Sequence, residues 1–468
     1  MPSILGANEI KATGYNVANS VRLNPGDSPN LTRTPGSASN RRTWTWSGWV
    51  KRSGLGSIQT LFNGSDGNYP EIFYFAADDT FIYHHDISGT DYKLISTQVF
   101  RDVSAWYHIV VAKDTTQSTE TNRLKVYVNG SQITMNESAL GYPTQNFQGA
   151  INIDDLHIIG NWKTNSYYID GYLTEVAFID GTQLDADSFG EFDEDSPNIW
   201  KPKDGLADDL TFGTNGFYLD FEDSSALGND VSGNNNDYTA NNLAATDQST
   251  DTCTNNFCTL NPLYKQDHAF SEGNLGYTSS ASDWDSAPGT IAVSSGKWYV
   301  EMKITGDAGG VTRSVLGLCD ERDGNIVAES EFGLTSSVVG DTVGYTSGTI
   351  HKNSSDTGAT AASFAVNDII GMYVDLDNGK VYFSKNGTMQ NSGDPTSGST
   401  GTGAISITTG ATYLFGATGY GGGASQMNFG SPPYAVSSGN ADPNGYGNFE
   451  YGTQNYYALN TKNLAEYG

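Results

Sequence analysis

The sequence predicts an all-β protein built from two tandem antiparallel β-sandwiches. Two aromatic-rich segments, at residues 43–52 and 296–304, each precede a hairpin that contains a Val-Tyr strand and an Asn-Gly turn; these hairpins end at residues 130 and 387. Asn-Gly favours positive φ and therefore closes tight hairpins. Only 16% of the residues are charged, while Gly, Tyr and Phe are abundant. This composition leaves few residues for helix surfaces and favours strands joined by polar turns.

Hydrophobic alternation and turn signals divide the chain into five parts. Within the first sandwich we expect Trp44, Trp46, Trp49 and Trp106 to be large core side chains. The pattern GFYLDF at residues 216–221 predicts a strand, which we expect to join the second sandwich. The predicted parts are a lead-in over 1–40 with a strand at Ser20–Leu23, a first sandwich over 41–200, a connector over 201–262, a second sandwich over 263–436, and a tail over 437–468 with a strand and a helical turn.

Charge and hydropathy exclude several classes of partner. The 24 basic and 53 acidic residues give a formal net charge of −29, which would repel a phosphate backbone, so nucleic acid is not an expected partner. The N-terminus has no basic segment followed by an apolar one, and no run approaches the length of a membrane span. We therefore expect a protein made in the cytoplasm without a signal peptide and without membrane insertion.

The first half resembles the LamG/concanavalin A-like superfamily. The segments that carry this resemblance are TWTWSGWVKR at 43–52, WYHIVVAKD at 106–114, LKVYVNG at 124–130 and YYIDGYLTEVAFIDGTQL at 167–184. The second half resembles a SPRY domain. Its corresponding segments are GKWYVEMKI at 296–304, VLGLCD at 315–320, VGYTSG at 343–348, DIIGMYVDLDNGKVYFSKNG at 368–387 and YLFGATGYGGGASQMNFG at 413–430.

Together the two modules resemble bacteriophage virion proteins, in which such modules occur in fibres, tail tips and surface appendages. This resemblance implies a virion protein that binds other virion proteins or host-surface polysaccharide as an adhesin. A purely structural decoration or joining protein is the alternative, and a polysaccharide depolymerase is the second alternative. Because a shallow site binds weakly, repeated copies would raise avidity. We therefore expect a homo-oligomer, with a trimer as the first candidate.

Catalysis requires a carboxylate arrangement that the sequence does not offer clearly. Retaining glycosidases use two carboxyl groups about 5–5.5 Å apart, and the nearest spacings are Asp220 with Glu222 and Glu329 with Glu331. Neither pair has the third acid and the flanking aromatic strand of the glucanase pattern. We therefore expect no enzymatic activity and name no catalytic residue.

A candidate metal loop lies at residues 230–237, DVSGNNND. Asp230, Ser232, Asn234 and Asn236 place oxygen atoms at alternating positions, which suits Ca²⁺. The distal Glu of an EF-hand is missing, and Asx side chains also cap their own turns. Ca²⁺ and a capped turn both remain open interpretations of this loop.

Exposed aromatic side chains supply the candidate carbohydrate or partner contacts. Trp162, Asn165 and Tyr167 fall in one polar loop, and Tyr420 falls in a glycine-rich segment. Aromatic faces and amide groups suit sugar rings and hydroxyls. Packing against another subunit, or at the edge of the core, is the alternative for Trp162.

The three cysteines do not form a disulfide framework. Cys253 and Cys258 are close enough in sequence to pair across a loop, whereas Cys319 follows an apolar strand and is expected to be a buried thiol.

Overall fold

The computed structural model describes residues 4–5, 14–64, 70–86, 91–137, 140–162, 167–194, 196–264, 268–280, 283–307, 313–322, 331–335 and 339–468. The chain divides into two compact units. The N-terminal unit is Ala12–Thr254, and the C-terminal unit is Asn255–Gly468 together with Met1–Lys11. Strands and antiparallel pairings dominate both units, and only two short α-helices occur in the described residues. The predicted all-β fold class is confirmed.

Strands of the N-terminal unit follow one another with short connections and one α-helical turn, α1 (Leu206–Asp209). The strands, numbered along the whole chain, are β2 (Ser20–Leu23), β3 (Asn30–Arg33), β4 (Thr43–Arg52), β5 (Gln59–Gly64), β6 (Glu71–Phe75), β7 (Thr80–His85), β8 (Tyr92–Val99), β9 (Trp106–Asp114), β10 (Leu124–Val128), β11 (Ser131–Gln132), β12 (Met135–Glu137), β13 (His157–Ile159), β14 (Gly171–Asp180), β15 (Gly190–Phe192), β16 (Trp200–Pro202), β17 (Phe217–Leu219), β18 (Thr239–Asn241) and β19 (Gln248–Ser249).

Two eight-stranded sheets form the N-terminal sandwich. Sheet I has the order β11-β10-β9-β4-β14-β2-β19, with β17 also paired to β14; sheet II has the order β12-β8-β7-β6-β5-β13-β3-β18. The core between them contains Trp44, Trp46, Phe62 and Phe73, all fully buried. Because strand side chains alternate, the same strands also present a second set of residues on their outer faces.

The strand in the connector belongs to the N-terminal sandwich, which corrects the expectation that it joins the second one. β17 pairs with β14, with Val176 opposite Leu219 and Phe178 opposite Phe217. Strand β2 pairs only with the first three residues of β14, so the remaining edge of β14 is open to another strand. β17 satisfies the hydrogen bonds of that edge, and Phe217 and Leu219 enter the core.

The outer face of sheet I is covered by the chain itself. The four predicted core tryptophans are buried, as expected, but Trp49 and Trp106 lie in this outer layer rather than between the sheets. The segment that covers them carries Phe189, Trp200 and Phe212. Much of what the sequence indicates as a connector is therefore a third layer of the first sandwich.

The buried titratable groups of this covered layer include His108 and Glu175. His108 stacks on Trp49 with ring centroids 4.8 Å apart, accepts a hydrogen bond at Nδ1 from Trp200 Nε1 (2.9 Å), and places Nε2 2.8 Å from Ser47 Oγ. Since an indole N–H can only donate, the proton of His108 is on Nε2. Burial lowers the pKa of His108 to about 3, so the ring is neutral.

The second group is Glu175, at a bulge in β14 where the paired strand changes from β2 to β17. Its φ of 52° is unusual for a residue other than glycine. The carboxylate accepts a hydrogen bond from the Tyr218 hydroxyl (2.5 Å). Burial raises the pKa of Glu175 to about 8.

Strands of the C-terminal unit form a second sandwich, and the chain ends in helix α2 (Thr461–Tyr467). The strands are β1 (Ile4–Leu5), β20 (Ala269–Ser271), β21 (Gly276–Thr278), β22 (Trp284–Val293), β23 (Lys297–Gly306), β24 (Ser314–Asp320), β25 (Thr342–Thr346), β26 (Thr349–Lys352), β27 (Ser355–Asp356), β28 (Ile369–Asp375), β29 (Lys380–Lys385), β30 (Thr388–Met389), β31 (Ile405–Ser406), β32 (Tyr413–Tyr420), β33 (Ala424–Asn428) and β34 (Tyr457–Ala458).

Sheets III and IV make up this sandwich. Sheet III has the order β1-β22-β32-β24-β25-β26-β27; sheet IV has the order β20-β21-β33-β23-β28-β29-β30, with β31 on β29 and β34 on β23. Their common core includes Trp298, Tyr345 and Phe415. The C-terminal tail covers the outer face of sheet IV, where Phe449 and Tyr456 pack with strand residues. The strand and helical turn predicted for the tail are β34 and α2.

Candidate functional site

The outer face of sheet II carries two rows of side chains that run across four neighbouring strands. Cross-strand pairing aligns the first row as Thr60, Tyr74, Ile82 and Ile95, and the second as Asn63, Ile72, His84 and Lys93. Phe73 and Phe75, which alternate with Ile72 and Tyr74 along β6, point into the sandwich core. The outer residues Ile72, Tyr74 and Ile82 form a separate small cluster. From Ile72 to Phe75, β6 is therefore apolar on both of its faces.

The predicted aromatic loop lies on this outer face. Trp162 packs with the outer cluster, with its ring 6.4 Å from that of Tyr74 and 5.7 Å from that of Tyr167. Both Trp162 and Tyr167 are half-buried, and the backbone N–H of Thr60 donates to the Tyr167 carbonyl at 3.1 Å. Asn165, the third predicted contact, lies outside the described residues. We call the two rows together with Trp162 and Tyr167 the Trp162 face.

Polar atoms without a protein partner lie within the Trp162 face. In the described part of the chain, Thr60 Oγ1, Asn63 Oδ1 and His84 Nε2 are buried and have no hydrogen-bond partner. The amide nitrogen of the same Asn63 donates to the Asn161 carbonyl at 2.6 Å, which fixes the direction of its oxygen. A buried polar atom without a partner is costly, and these three atoms each keep an unused hydrogen-bonding capacity.

Apart from Lys93, the Trp162 face carries no charge at neutral pH. Burial, followed by the nearby Lys93, lowers the pKa of His84 below its ordinary value, so the imidazole is neutral at pH 7. Burial and Tyr167 raise the pKa of Tyr74, so its hydroxyl keeps the proton. Neither row contains Asp or Glu. Lys93 is the charged member of the two rows, and the rest of the face consists of aromatic rings, aliphatic side chains and neutral hydrogen-bonding groups.

Tyr420, the predicted contact of the C-terminal unit, is not an open platform. Its ring is 5.3 Å from that of Trp284, its cross-strand neighbour, and the Arg313 guanidinium lies 4.7 Å from the ring centroid. All three side chains are half-buried. A sugar stacked directly on the face of Tyr420 that Arg313 occupies would have to displace the guanidinium, so the group presented there is the arginine.

The 230–237 loop has the hydrogen bonds of a capped turn. Asp230 Oδ1 accepts from the backbone N–H groups of Tyr218 (2.8 Å) and Ser232 (2.9 Å), while Oδ2 accepts from Ser232 Oγ (3.0 Å) and the Asn236 N–H (2.7 Å). The amide nitrogen of Asn234 donates to the carbonyls of residues 213 and 216.

An arginine also reaches the same loop. Arg33 donates to Asn236 Oδ1 and places a positive charge where a cation would bind. Of the residues described, no group of three or more His, Cys, Asp or Glu could hold a metal ion. Ca²⁺ at Asp230, Ser232, Asn234 and Asn236 stays a prediction.

The carboxylates considered for catalysis make local structural hydrogen bonds. Asp220 Oδ1 accepts from the backbone N–H of Glu222 at 3.1 Å, which is the geometry of an Asx turn. Glu331 accepts from Thr335 Oγ1, and its companion Glu329 lies outside the described residues. Neither acid of the first pair belongs to the Trp162 face.

Cys253, Cys258 and Cys319 are all thiols, and the pairing considered for Cys253 with Cys258 does not occur. Cys319 is buried, as expected. Burial raises the pKa of the Cys253 thiol well above its usual range, which keeps it protonated and unreactive. No helix among the described segments is long and apolar enough to cross a membrane.

Comparison with known proteins places residues 25–187 in one family model, Laminin_G_3, described as the concanavalin A-like lectin/glucanases superfamily. The matched region contains the whole of the Trp162 face. It ends before β17, which the structure shows to be part of the same sandwich. No curated protein matches the chain.

Solved structures give distant similarities. The SPRY domain of human HERC1 is 17% identical, with a TM-score of 0.29, over 36% of this chain and 96% of that one. Mouse laminin α1 domains LG4-5 are 9% identical, with a TM-score of 0.30, over 90% of each chain. A carbohydrate-binding protein described as putative, from Bacteroides ovatus, is 15% identical, with a TM-score of 0.26, over 37% of this chain and 46% of that one.

Sequence reasoning found Trp162 and Tyr167 but missed the surface on which they lie. The available signal was the run Ile72–Phe75, in which four consecutive apolar residues occupy a strand of a two-layer sandwich. Such a strand must be covered on both faces. Arg313 was missed because it is more than a hundred residues from Tyr420, so only the fold brings the two together.

Proposed function

We propose that the protein is a non-enzymatic, glycan-binding adhesin and that the Trp162 face is its contact surface. The observation that carries this proposal is the set of three buried, unpartnered polar atoms, on Thr60, Asn63 and His84, beside a cluster of aromatic rings. Aromatic rings pack on the apolar C–H faces of sugars, and hydroxyls supply the missing hydrogen bonds. The match of residues 25–187 to a lectin and glucanase superfamily supports this class of ligand.

A neutral glycan fits this face better than a charged one. Besides Lys93, the Trp162 face offers a neutral imidazole, a hydroxyl and an amide oxygen, each of which can pair with a sugar hydroxyl. The chain as a whole has a net charge of −29, which adds long-range repulsion for any polyanion. The proposed ligand of this face is therefore a neutral polysaccharide.

Binding without cleavage is the proposed outcome of contact. The two rows of the Trp162 face contain no carboxyl group, and hydrolysis with retention needs a pair of them about 5–5.5 Å apart. In the candidate pair Asp220 and Glu222, Asp220 accepts a hydrogen bond from the backbone N–H of Glu222. A depolymerase would need its acids elsewhere on the molecule.

The proposed location of the adhesin rests on a resemblance to phage appendage proteins, in which the same two kinds of module occur. We propose a virion fibre, tail tip or surface appendage, with other virion proteins as partners and a homo-oligomer, most simply a trimer, as the working form. Several copies on one appendage would turn a weak single site into useful avidity. The structural alternative assigns the Trp162 face to contact with another virion protein.

Binding of the full-length protein to immobilised polysaccharides tests the proposal. A panel of neutral and acidic bacterial surface polysaccharides should give binding to at least one neutral member and no release of reducing ends. Tyr167→Ala should weaken that binding at least tenfold. Tyr168→Ala is the matched control, since Tyr168 is also half-buried but makes no aromatic ring contact in the described part of the chain.

Other results would assign other functions. Reducing ends released from a neutral polysaccharide would make the protein a depolymerase. A complete lack of binding, together with co-assembly of the face with another virion protein, would favour the structural alternative. Equal losses from Tyr167→Ala and Tyr168→Ala would indicate a general disturbance of the loop rather than a contact.

A further inference from the structure

The C-terminal unit carries a compact group of hydrogen-bond donors around Tyr420. Arg313 stacks on the Tyr420 ring, and Trp284 lies beside it. In the described residues, the Arg313 guanidinium lies 4.7 Å from the centroid of the Tyr420 ring and makes no ion pair or hydrogen bond. The Trp284 indole and the Tyr420 hydroxyl likewise have no hydrogen-bond partner there. A guanidinium and an indole N–H can only donate, whereas the Tyr420 hydroxyl can donate or accept, so an acceptor on a ligand would supply the missing partner of Arg313 and Trp284.

Several other surface arginines of this chain are paired, although the buried Nε of Arg42 has no hydrogen-bond partner in the described residues. Arg322, with 59% of its side chain exposed, pairs with Asp320 at 2.7 Å, and Arg101, with 58% exposed, pairs with Asp79 at 2.9 Å. Arg123 donates to three backbone carbonyls. With 53 acidic and 24 basic residues in the chain, acceptors are abundant, yet Arg313 uses an aromatic ring instead.

We propose that Arg313, Trp284 and Tyr420 form a second binding site, which takes the carboxylate of an acidic sugar such as a uronic acid residue. The planar guanidinium binds a carboxylate through two parallel N–H···O bonds. Stacking on Tyr420 holds the guanidinium in one plane, so less side-chain freedom is lost on binding. The half-buried Trp284 ring provides an adjacent surface for the sugar ring.

The choice of a sugar, rather than a peptide, as the molecule that bears the carboxylate rests on the proposed glycan-binding function. The group can form a charge pair with one carboxylate at a time, because Arg313 supplies its only positive charge. Repulsion from the acidic chain would oppose a dense polyanion, whereas a polysaccharide with spaced uronic acids offers isolated carboxylates. The two sites would then differ in ligand: neutral sugar on the Trp162 face and acidic sugar at Arg313.

Isothermal titration calorimetry of the full chain at low salt tests this site. The probes are a galacturonate tetrasaccharide, a galactose tetrasaccharide of the same length, and a tetraglutamate peptide. We expect the galacturonate to bind at least tenfold more tightly than the other two. Arg313→Gln should lower that affinity at least tenfold. Arg322→Gln is the control and should leave the affinity unchanged, because Arg322 is already paired with Asp320.

Arg313→Lys keeps the experiment informative if Arg313→Gln fails to fold, which a melting curve would show. Lysine keeps the charge without the planar pair of donors, so it should leave an intermediate affinity. Equal affinity for galactose and galacturonate, no effect of either Arg313 variant, or no galacturonate binding at all would overturn the site. Equal binding of tetraglutamate would overturn the choice of a sugar. Trp162→Ala should not change galacturonate binding, so failure of this site is distinct from failure of the Trp162 face.

Discussion

The two outer faces of the N-terminal sandwich are built from similar residues but are covered differently. On sheet I, Trp49, Trp106 and Tyr172 are buried beneath a segment of the same chain that contributes Phe189 and Trp200. On sheet II, three buried residues are accompanied by half-buried ones, of which Trp162 is the largest.

Polar groups differ between the faces in the same way. On sheet I, the buried His108 has a partner at each ring nitrogen, whereas on sheet II the buried Nε2 of His84 has none within the described ranges. The apolar strands of both sheets therefore have covered outer faces, and the half-buried Trp162 distinguishes the cover of sheet II from that of sheet I.

The largest effect should come from removing the cover of sheet I. Trp200→Ala deletes a buried indole and leaves His108 Nδ1 without its donor, so we expect the free energy of unfolding to fall by about 3–5 kcal/mol. Chemical denaturation monitored by circular dichroism measures this change. A loss below about 1 kcal/mol would mean that the covering segment is not an integral layer.

The second-largest effect should be the pH dependence of stability that arises from the buried Glu175. Its folded pKa of about 8 lies above its ordinary value of 4.5, so its contribution to stability is complete below pH 4.5 and is lost as the pH rises through 8. Glu175→Gln, which cannot ionise, should therefore be more stable than the natural protein at pH 9, by a few kcal/mol. Melting curves at pH 5 and pH 9 compare the two proteins. An identical pH dependence would show that this carboxyl is not buried as described.

The smallest effect is expected from metal removal. Both carboxylate oxygens of Asp230 already accept hydrogen bonds from the loop, so the capped-turn interpretation predicts that a chelator leaves the melting temperature unchanged. A fall in melting temperature that Ca²⁺ restores and Mg²⁺ does not would instead establish a calcium site, because a ligand bound only by the folded state stabilises it.

Local patterns in the sequence predicted the elements of both sandwiches but not all of their partners. The Thr43–Arg52 strand and the 124–130 hairpin follow from alternation and turn chemistry, which act over a few residues. The pairing of β17 with β14 depends on an edge left open by β2, about two hundred residues earlier in the chain. Likewise, Trp162 is recognisable as an aromatic in a polar loop, but its neighbours Thr60 and Tyr74 are brought to it only by the fold.

Two readouts on Trp162→Ala test the central claim most directly, because they separate a binding surface from a structural cover. Since Trp162 is half-buried, we expect its loss to change the free energy of unfolding by less than about 1 kcal/mol while it lowers adhesion of the full-length protein to a neutral polysaccharide at least tenfold. A large loss of stability with unchanged adhesion would contradict the account and would make the outer face of sheet II, like that of sheet I, a purely structural layer.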